Sequence, residues 1–570
     1  MLDRDGIASQ PFASRRFTAE KALARLRELD EVESGDEEDS IVDDDEVPRN
    51  PEANDSDSSS SDDELTDTAS SSTKLQQFTT SFAPRRSVFS PSNSLTSRDG
   101  RKWLDSRSQS TEASGAGRTP AYNVFSAHPG PTACCRNIET PIDAWRLLID
   151  EECIRHIIRC TEEFAQTSVP IWTVSESEME SFFGLLYLRG AMDQHNFPCD
   201  LLWSSEYGCK AFPATMSRDR FRDIKKHIRF DVLSTRRERL LSDKFALISY
   251  VFNRFVENSQ KCYVPDWSVS IDEQSFPTKS RCKFTQYMSS KPDKFGIKFW
   301  ILAEVDSKYC YNISPYLGKD ESRVGSLGTS VVMDLMQPLL GKGYNVTCDN
   351  FFTNAELSEK LIEKRCSIVG TVRQYRREIP DIKDIQLHES KFYQDGKLNL
   401  TVYQAKKNKK VHLLSTLHAG ISCETEGKRK PDSVIFYNNN KYGVDMLDSM
   451  CRQMTTIAGC RRWPLAVFFN ILDLAGVNAH ILYKQKTGSN ISRPKFLFEL
   501  SAQLRAGHVV RNENIPDDIL KPRKLPKCQN CRVLLRCKRN RASISCLKCK
   551  QPTCGQCLMT ICVKCAKYKF

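Results

Sequence analysis

The stretch 267-WSVSIDEQ-274 alternates apolar and polar residues with the period of a half-buried strand, and it sets an acid, Asp272, directly after Ile271. The residues that follow keep the texture of a sheet. Residues 294-KFGIKFWILAEV-305 form a longer β-branched and aromatic run, and Asp306-Ser307 turns it into 309-YCYNISPYLG-318. A helical stretch, 329-TSVVMDLMQPLLGKG-343, leads to the short strand 344-YNVTCDN-350. The next helix, 353-TNAELSEKLIEKR-365, is expected to start from a Thr353 N-cap, with Glu356 at the capping-box spacing. A last strand, 367-SIVGTV-372, follows. The order is β-β-β-α-β-α-β. Short turns should make the first three strands antiparallel, and returns through helices should make the later ones parallel.

That is the strand order of an α/β, RNase H-like sheet, in which the first strand is central and lies beside the fourth. Asp272 sits in the first strand, and Asp349 ends the fourth after Val346 and Cys348. An acid inside an apolar strand is costly to bury. Two on adjacent strands repel, and a divalent cation removes the conflict. Two more acids, Asp445 and Asp448, stand three apart in 437-YNNNKYGVDMLDSM-450, after what reads as a polar loop of Asn438, Asn439, Asn440 and Gly443. At that spacing they project from one helix face. Taken singly, each acid has an ordinary reading as a turn cap, a solvated side chain or a complement to a helix dipole. Taken together on this element order, they form a candidate metal site. Oxygen ligands without His or Cys favour Mg²⁺ or Mn²⁺ over Zn²⁺. Two such ions roughly 3.5–4 Å apart suit phosphoryl transfer.

The charge is unevenly spread. Residues 28–67 hold nineteen Asp and Glu against Arg49 alone, a local −18, while the whole chain is +11 and the remainder therefore +29. Residues 1–125 are rich in Ser, Asp, Glu and Arg and read as a disordered tail. A basic body with an acidic tail suits a nucleic-acid binder; a merely solubilising tail fits the composition as well. The N-terminus, MLDRDGIASQ, has no apolar run, so no secretory signal is expected and the chain reads as soluble and intracellular. The most apolar window, 463-WPLAVFFNILDLAGVNAHILY-483, is interrupted by Asn470, Asp473, Asn478 and His480, and reads as a buried helix with no membrane partner.

Between tail and sheet the chain is helical, with 141-PIDAWRLLIDEECIRHIIRCTEEFAQ-166, 178-EMESFFGLLYLRGAMD-193 and the basic 218-RDRFRDIKKHIRFD-231, which is either a solvated face or a phosphate contact. Beyond the sheet, 391-KFYQDG-396, 399-NLTVYQAK-406 and 410-KVHLLSTLH-418 are strand candidates of a β-rich insertion. Arg373, Arg376 and Arg377 surround Tyr375 beside the acids and suit phosphate clamping. Arg461 and Arg462 precede Trp463, a residue for the core or for stacking on DNA.

Nine of the 23 cysteines lie in the last 43 residues. Eight of them form four CxxC pairs: Cys528 and Cys531, Cys546 and Cys549, Cys554 and Cys557, Cys562 and Cys565. Eight thiolates hold two tetrahedral zinc ions, with the first pair joined to the third and the second to the fourth in a cross-brace. A module this small needs such a staple, and in a reducing compartment the staple is metal. Lys538, Arg539, Arg541 and Lys548 give it charge for phosphate.

Over most of residues 140–570 the chain resembles piggyBac-type DNA transposases. The resemblance rests on 270-SIDEQ-274, 291-KP-292 with 296-GIK-298, 347-TCDNFFT-353, 368-IVGTV-372 with 377-REIP-380, and 437-YNNNKYGVDMLDSM-450 with 462-RWP-464. It implies that Asp272, Asp349, Asp445 and Asp448 form the catalytic site with two Mg²⁺. It implies cut-and-paste transposition: nicking to a 3′-hydroxyl, a hairpin at the element end, and joining to a TTAA target. It implies a homodimer on double-stranded DNA in the nucleus, with the zinc module, in which Cys557 replaces the family's His, reading terminal repeats. The implied organisation is a helical dimerisation and DNA-binding domain at 138–262 and 455–520, a catalytic domain at 266–375 and 432–454, an insertion domain at 376–431 and a zinc-binding domain at 528–570. Two rivals are a domesticated DNA-binding protein that does not cleave and a zinc-module adaptor of RING or chromatin-reader type.

Overall fold

The computed structural model describes residues 94–106 and 124–513, with breaks at 281, 289–293, 320–324, 384, 419–422 and 425–426, and three strands within 523–553. Its main sheet contains β1 (Ser94–Thr96), β2 (Lys102–Asp105), β3 (Ser268–Pro277), β4 (Phe295–Glu304), β5 (Cys310–Pro315), β6 (Asn345–Cys348), β7 (Ser367–Thr371), β8 (Ser390–Asp395), β9 (Leu398–Lys406) and β10 (Lys409–Ser415). The spatial order runs β1-β2-β8-β9-β10-β7-β6-β3-β4, with β5 beside β4. The first predicted strand, β3, does lie beside the fourth, β6, and the pair is parallel, with Ile271 opposite Cys348. β6 and β7 are also parallel, and β4 and β5 are antiparallel. The link from β3 to β4 runs from Pro277 to Phe295, longer than the tight turn expected. Within that link the Met288 N–H donates to the Lys294 carbonyl at 2.9 Å.

Strands form at all three places anticipated in the insertion, and they continue the sheet, because β10 pairs antiparallel with β7. The outer edge departs from expectation. Residues 94–105 fall inside the stretch expected to lack structure, yet β1 and β2 form a hairpin around an Asp99-Gly100 turn, and β2 pairs with β8. The fully buried Trp103, whose indole N–H donates to the Glu378 carbonyl at 2.9 Å, anchors it. The rest of the expected tail, including 28–67, lies outside the described residues.

The helices include α1 (Pro141–Arg146), α2 (Glu151–Gln166), α3 (Glu176–Ala191), α4 (Arg218–His227), α5 (Ser249–Cys262), α6 (Leu327–Met336), α7 (Ala355–Glu363), α8 (Asp432–Asn440), α9 (Gly443–Gln453), α10 (Trp463–Thr487) and α11 (Arg493–Glu513), with three shorter ones between α3 and α5. Three sequence readings are corrected here. The 141–166 run breaks in two because the Asp150 carboxylate accepts from the Cys153 N–H and starts a new helix. Asn438, Asn439 and Asn440 end α8 instead of forming a loop. Helix α7 is capped by Asn354, which accepts from the Leu357 N–H at 2.7 Å, while the Thr353 hydroxyl donates back to the Asp349 carbonyl.

Helix α10 is long and apolar enough to cross a membrane, and here its apolar window is wholly buried inside the protein. It packs against the helices that precede the sheet in sequence. The Trp145 indole N–H donates to the Tyr187 hydroxyl, which donates to the Leu472 carbonyl, and Phe183 packs on Phe468. Helix α11 lies against α3 so closely that a Cβ on Gly184 would meet the Ser501 carbonyl at 3.0 Å. A three-stranded sheet of β11 (Arg523–Asn530), β12 (Arg541–Ser545) and β13 (Pro552–Thr553) marks the C-terminal module.

Candidate active site

The parallel register of β3 and β6 dictates where the first two acids go. Ile271 pairs with Cys348, so the next residues, Asp272 and Asp349, come level on adjacent strands. Helix α9 brings the third. Its first residue, Gly443, abuts β3 so tightly that any Cβ would collide with Ser270 Oγ. That approach sets Asp445, in the first turn, beside Asp272. The electrostatics report the gathering. Burial first, then repulsion from Asp349 and Asp445, holds the Asp272 carboxyl well above the usual carboxylate range. Burial also pushes Asp349 up to about 6, although the Phe351 N–H, 2.9 Å from its Oδ1, and the Arg373 charge pull the other way.

Asp448 is held differently. It accepts from the Gln274 side-chain amide at 3.0 Å and from Arg452 Nε at 2.8 Å. Gln274 is 1 % exposed and in turn accepts from the Asn470 amide at 2.8 Å, while Arg452 also donates to the Ser275 carbonyl. Thus Asp272, Asp349 and Asp445 converge, and Asp448 stands beside them in a fixed hydrogen-bond chain. Gln274, Asn470 and Arg452 were not singled out as site residues in the sequence. The signals were present: Gln274 closes the SIDEQ motif, and Asn470 is a polar break in an apolar helix.

The donor set fits a hard divalent cation. It consists of oxygens alone, and crowded carboxyls that resist ionising together require added positive charge. Glu273, next to Asp272, is paired with Lys298 at 2.7 Å, whose ammonium lies over the Trp300 ring, and its charge also repels Asp272 and Asp349.

Residues 140–480 match the Transposase IS4 family model, well over half of the chain. The chain belongs to the piggyBac-type transposase family. It is similar to the human PiggyBac transposable element-derived protein 3, at 24% identity over 61% of this chain and 62% of that protein. It is similar to the human PiggyBac transposable element-derived protein 2, at 23% identity over 60% and 62%. The chain therefore spans about three-fifths of the length of these relatives. Among solved structures it resembles a piggyBac transposase synaptic complex with hairpin DNA, determined by cryo-electron microscopy. That match has a TM-score of 0.66 and 29% identity, and it covers 77% of this chain and all of that one.

Within the piggyBac-type fold the basic candidates separate by surroundings. Arg373 donates to the Asn350 side chain at 3.0 Å, and Arg376 to the Asn350 and Phe351 carbonyls at 3.3 and 3.2 Å, so both brace the loop that carries Asp349. Arg377 and its neighbour Tyr375 are exposed. Arg461 is exposed, but Arg462 donates to the Ile228 and Lys225 carbonyls and closes the end of α4. Trp463 lies against Phe245 at 5.6 Å and Phe284 at 5.0 Å. Its half-buried ring packs between these two phenylalanines. Helix α4 likewise directs Arg220 to Glu178 and Asp223, and Arg218 and Arg222 to Asp200. Arg541 is exposed on β12. Lys538, Arg539 and Lys548 lie outside the described residues, as do Cys531, Cys546, Cys549, Cys554, Cys557, Cys562, Cys565 and the side chain of Cys528.

Proposed function

We propose that this chain is a metal-dependent DNA transposase of the cut-and-paste type, working as a nuclear homodimer on double-stranded DNA. The observation that carries the reading is the convergence of Asp272, Asp349 and Asp445: two half-buried carboxyls level on adjacent parallel strands, and an exposed one in the first turn of the helix beside them. They would hold two Mg²⁺ ions, with Asp448 at their edge. When bound, such ions activate an attacking hydroxyl and stabilise the leaving oxygen of a phosphodiester.

The chain's own residues fix that geometry. Gln274 and Arg452 orient Asp448, while Arg373 holds the Asn350 side chain and Arg376 the Asn350 and Phe351 carbonyls, so that Asp349 keeps its place. Exposed Arg377 and Arg461 are available to phosphate oxygens. In this reading the first nick frees a 3′-hydroxyl at the element end. That hydroxyl attacks the opposite strand to form a hairpin, and the reopened end joins a TTAA target. The joined helical stretches at 138–262 and 455–520 would dimerise, and the cysteine-rich tail would hold two Zn²⁺ and read the terminal repeats.

A second reading, a DNA-binding protein that keeps the fold without transposing, is favoured by the human relatives, which are named as derived from the element. Excision of element-flanked DNA in Mg²⁺ separates the two. The proposal expects cleavage that Asp272→Ala, Asp349→Ala or Asp445→Ala abolishes while DNA binding persists. Sequence-specific binding by the wild-type chain without any strand cleavage establishes the second reading instead.

A further inference from the structure

Three thiols converge far from the carboxylates. A two-residue strand, Gly130–Pro131, pairs antiparallel with Tyr263–Val264, just after the C-terminus of α5. The Thr132 N–H continues this pairing onto the Cys262 carbonyl at 2.9 Å, and the Thr132 hydroxyl donates to the Lys261 carbonyl at 2.7 Å. The chain then tightens into a 3₁₀ turn, Ala133–Cys135, which swings two consecutive cysteines back over the end of the helix. Cys134 Sγ lies 3.5 Å from Cys262 Sγ and 3.8 Å from Cys135 Sγ, and all three sulfurs fall within 4.8 Å of one another. Cys135 and Cys262 are buried, and Cys134 is half-buried.

We propose that Cys134, Cys135 and Cys262 form a three-thiolate site for a zinc ion. Sulfurs about 2.3 Å from a tetrahedral zinc stand about 3.8 Å apart, close to the spacings found here before any ion is added. An all-sulfur set selects a soft or borderline cation over the hard ions suited to the carboxylates. The fourth position falls to water on the half-buried Cys134 side. The bland alternative is a group of buried reduced thiols, each filling space as a small apolar side chain. It accounts for one cysteine at a time, but not for three sulfurs drawn from segments 127 residues apart onto one point. The site has a structural consequence. Cys262 ends α5, and β3, which carries Asp272, begins six residues later, so the ion would pin the 130–135 segment where the chain passes from the helices into the catalytic strand.

The test uses the full chain, purified in reducing buffer, with zinc per chain measured by elemental mass spectrometry. Cys134→Ser should lose one zinc per chain relative to wild type, whatever number the C-terminal cysteines hold. Cys209→Ser, at a half-buried cysteine away from the cluster, should lose none. In wild type, alkylation mapped by peptide should modify Cys134 only after chelation. Equal zinc in wild type and Cys134→Ser overturns the site. Equal labelling of Cys134 before and after chelation, or a Cys134–Cys262 disulfide in the unreduced protein, overturns it without relying on any variant.

Discussion

Asp349 and Asp272 are acids that the folded, metal-free chain holds against their preference to ionise, and the sign of that preference can be tested. The Asp349 carboxyl is raised from 3.8 to about 6, with burial the largest cause. The folded state therefore binds its proton more tightly than the unfolded state does. The resulting stabilisation is fully present below about pH 4 and is lost as pH rises through about 6. Asp349→Asn should match wild type in stability near pH 4 and exceed it by on the order of 2 kcal/mol at pH 7 without metal. Added Mg²⁺ should erase that advantage by stabilising only the wild type. Chemical denaturation at both pH values, with and without Mg²⁺, checks this, and a pH-independent difference would refute it. Gln274 makes a second case. Its amide is the link between Asn470 and Asp448, so Gln274→Ala should lower strand cleavage about 10–100-fold while the fold survives, as removing a ligand's supporting partner generally does. Unchanged cleavage would mean that Asp448 needs no positioning. Asp272 and Asp349 were readable in the sequence because an acid among apolar strand residues stands out, and Asp445 and Asp448 because a three-residue spacing puts them on one helix face. The pairing of Gln274 with Asn470 was not, because a hydrogen bond across 196 positions of chain leaves no periodic trace.

Elements meet where side chains are missing. Gly443 lets α9 touch β3, and Gly370 on β7 lies against Thr353 and the Cys348 carbonyl, so a Cβ at either place collides with its neighbour. Gly443→Ala should cost about 1–3 kcal/mol through overpacking and should reduce cleavage further than that loss of stability explains, because it moves Asp445. Melting curves and cleavage rates measured together decide it; a variant with wild-type rates would show that the contact has slack. The strands themselves were well marked by alternation, and the β3–β6 neighbourhood followed from the element order. What alternation does not encode is which edge a strand joins. The three strands of the expected insertion pair onto the main sheet, a placement that depends on partners distant in sequence. The β1–β2 hairpin was hidden in low-complexity sequence, where Trp103 and the Asp99-Gly100 turn were its only marks. Trp103→Ala should cost about 3–5 kcal/mol, the usual range for emptying a buried aromatic site. A loss below about 1 kcal/mol would show that the hairpin contributes little to the folded sheet.

At the scale of the whole molecule, the long ordered motifs carried the family, and the charge distribution adds what no single motif contains. Residues 28–67 carry −18 and the remainder +29, so the chain holds a polyanion of its own beside a strongly basic body. A nucleic acid approaching that body must displace whatever occupies its cations, and the acidic stretch is tethered and always present. Competition of this kind works through screened Coulomb attraction, which reaches about 30 Å at 10 mM salt but only about 8 Å at physiological ionic strength. Deleting residues 28–67 should therefore tighten binding to nonspecific duplex DNA most at low salt. The gain should shrink as salt rises, because phosphate contacts are themselves weakened by counterion competition. Cleavage by DNA-bound protein at saturating DNA should not change, since the acids proposed to carry it lie elsewhere in the chain. Fluorescence anisotropy across a salt series, with the full chain and the deletion side by side, reads both slopes. Coincident affinities at low ionic strength would show that the acidic stretch does not compete for the basic surface, and would leave solubility as the better account of its charge.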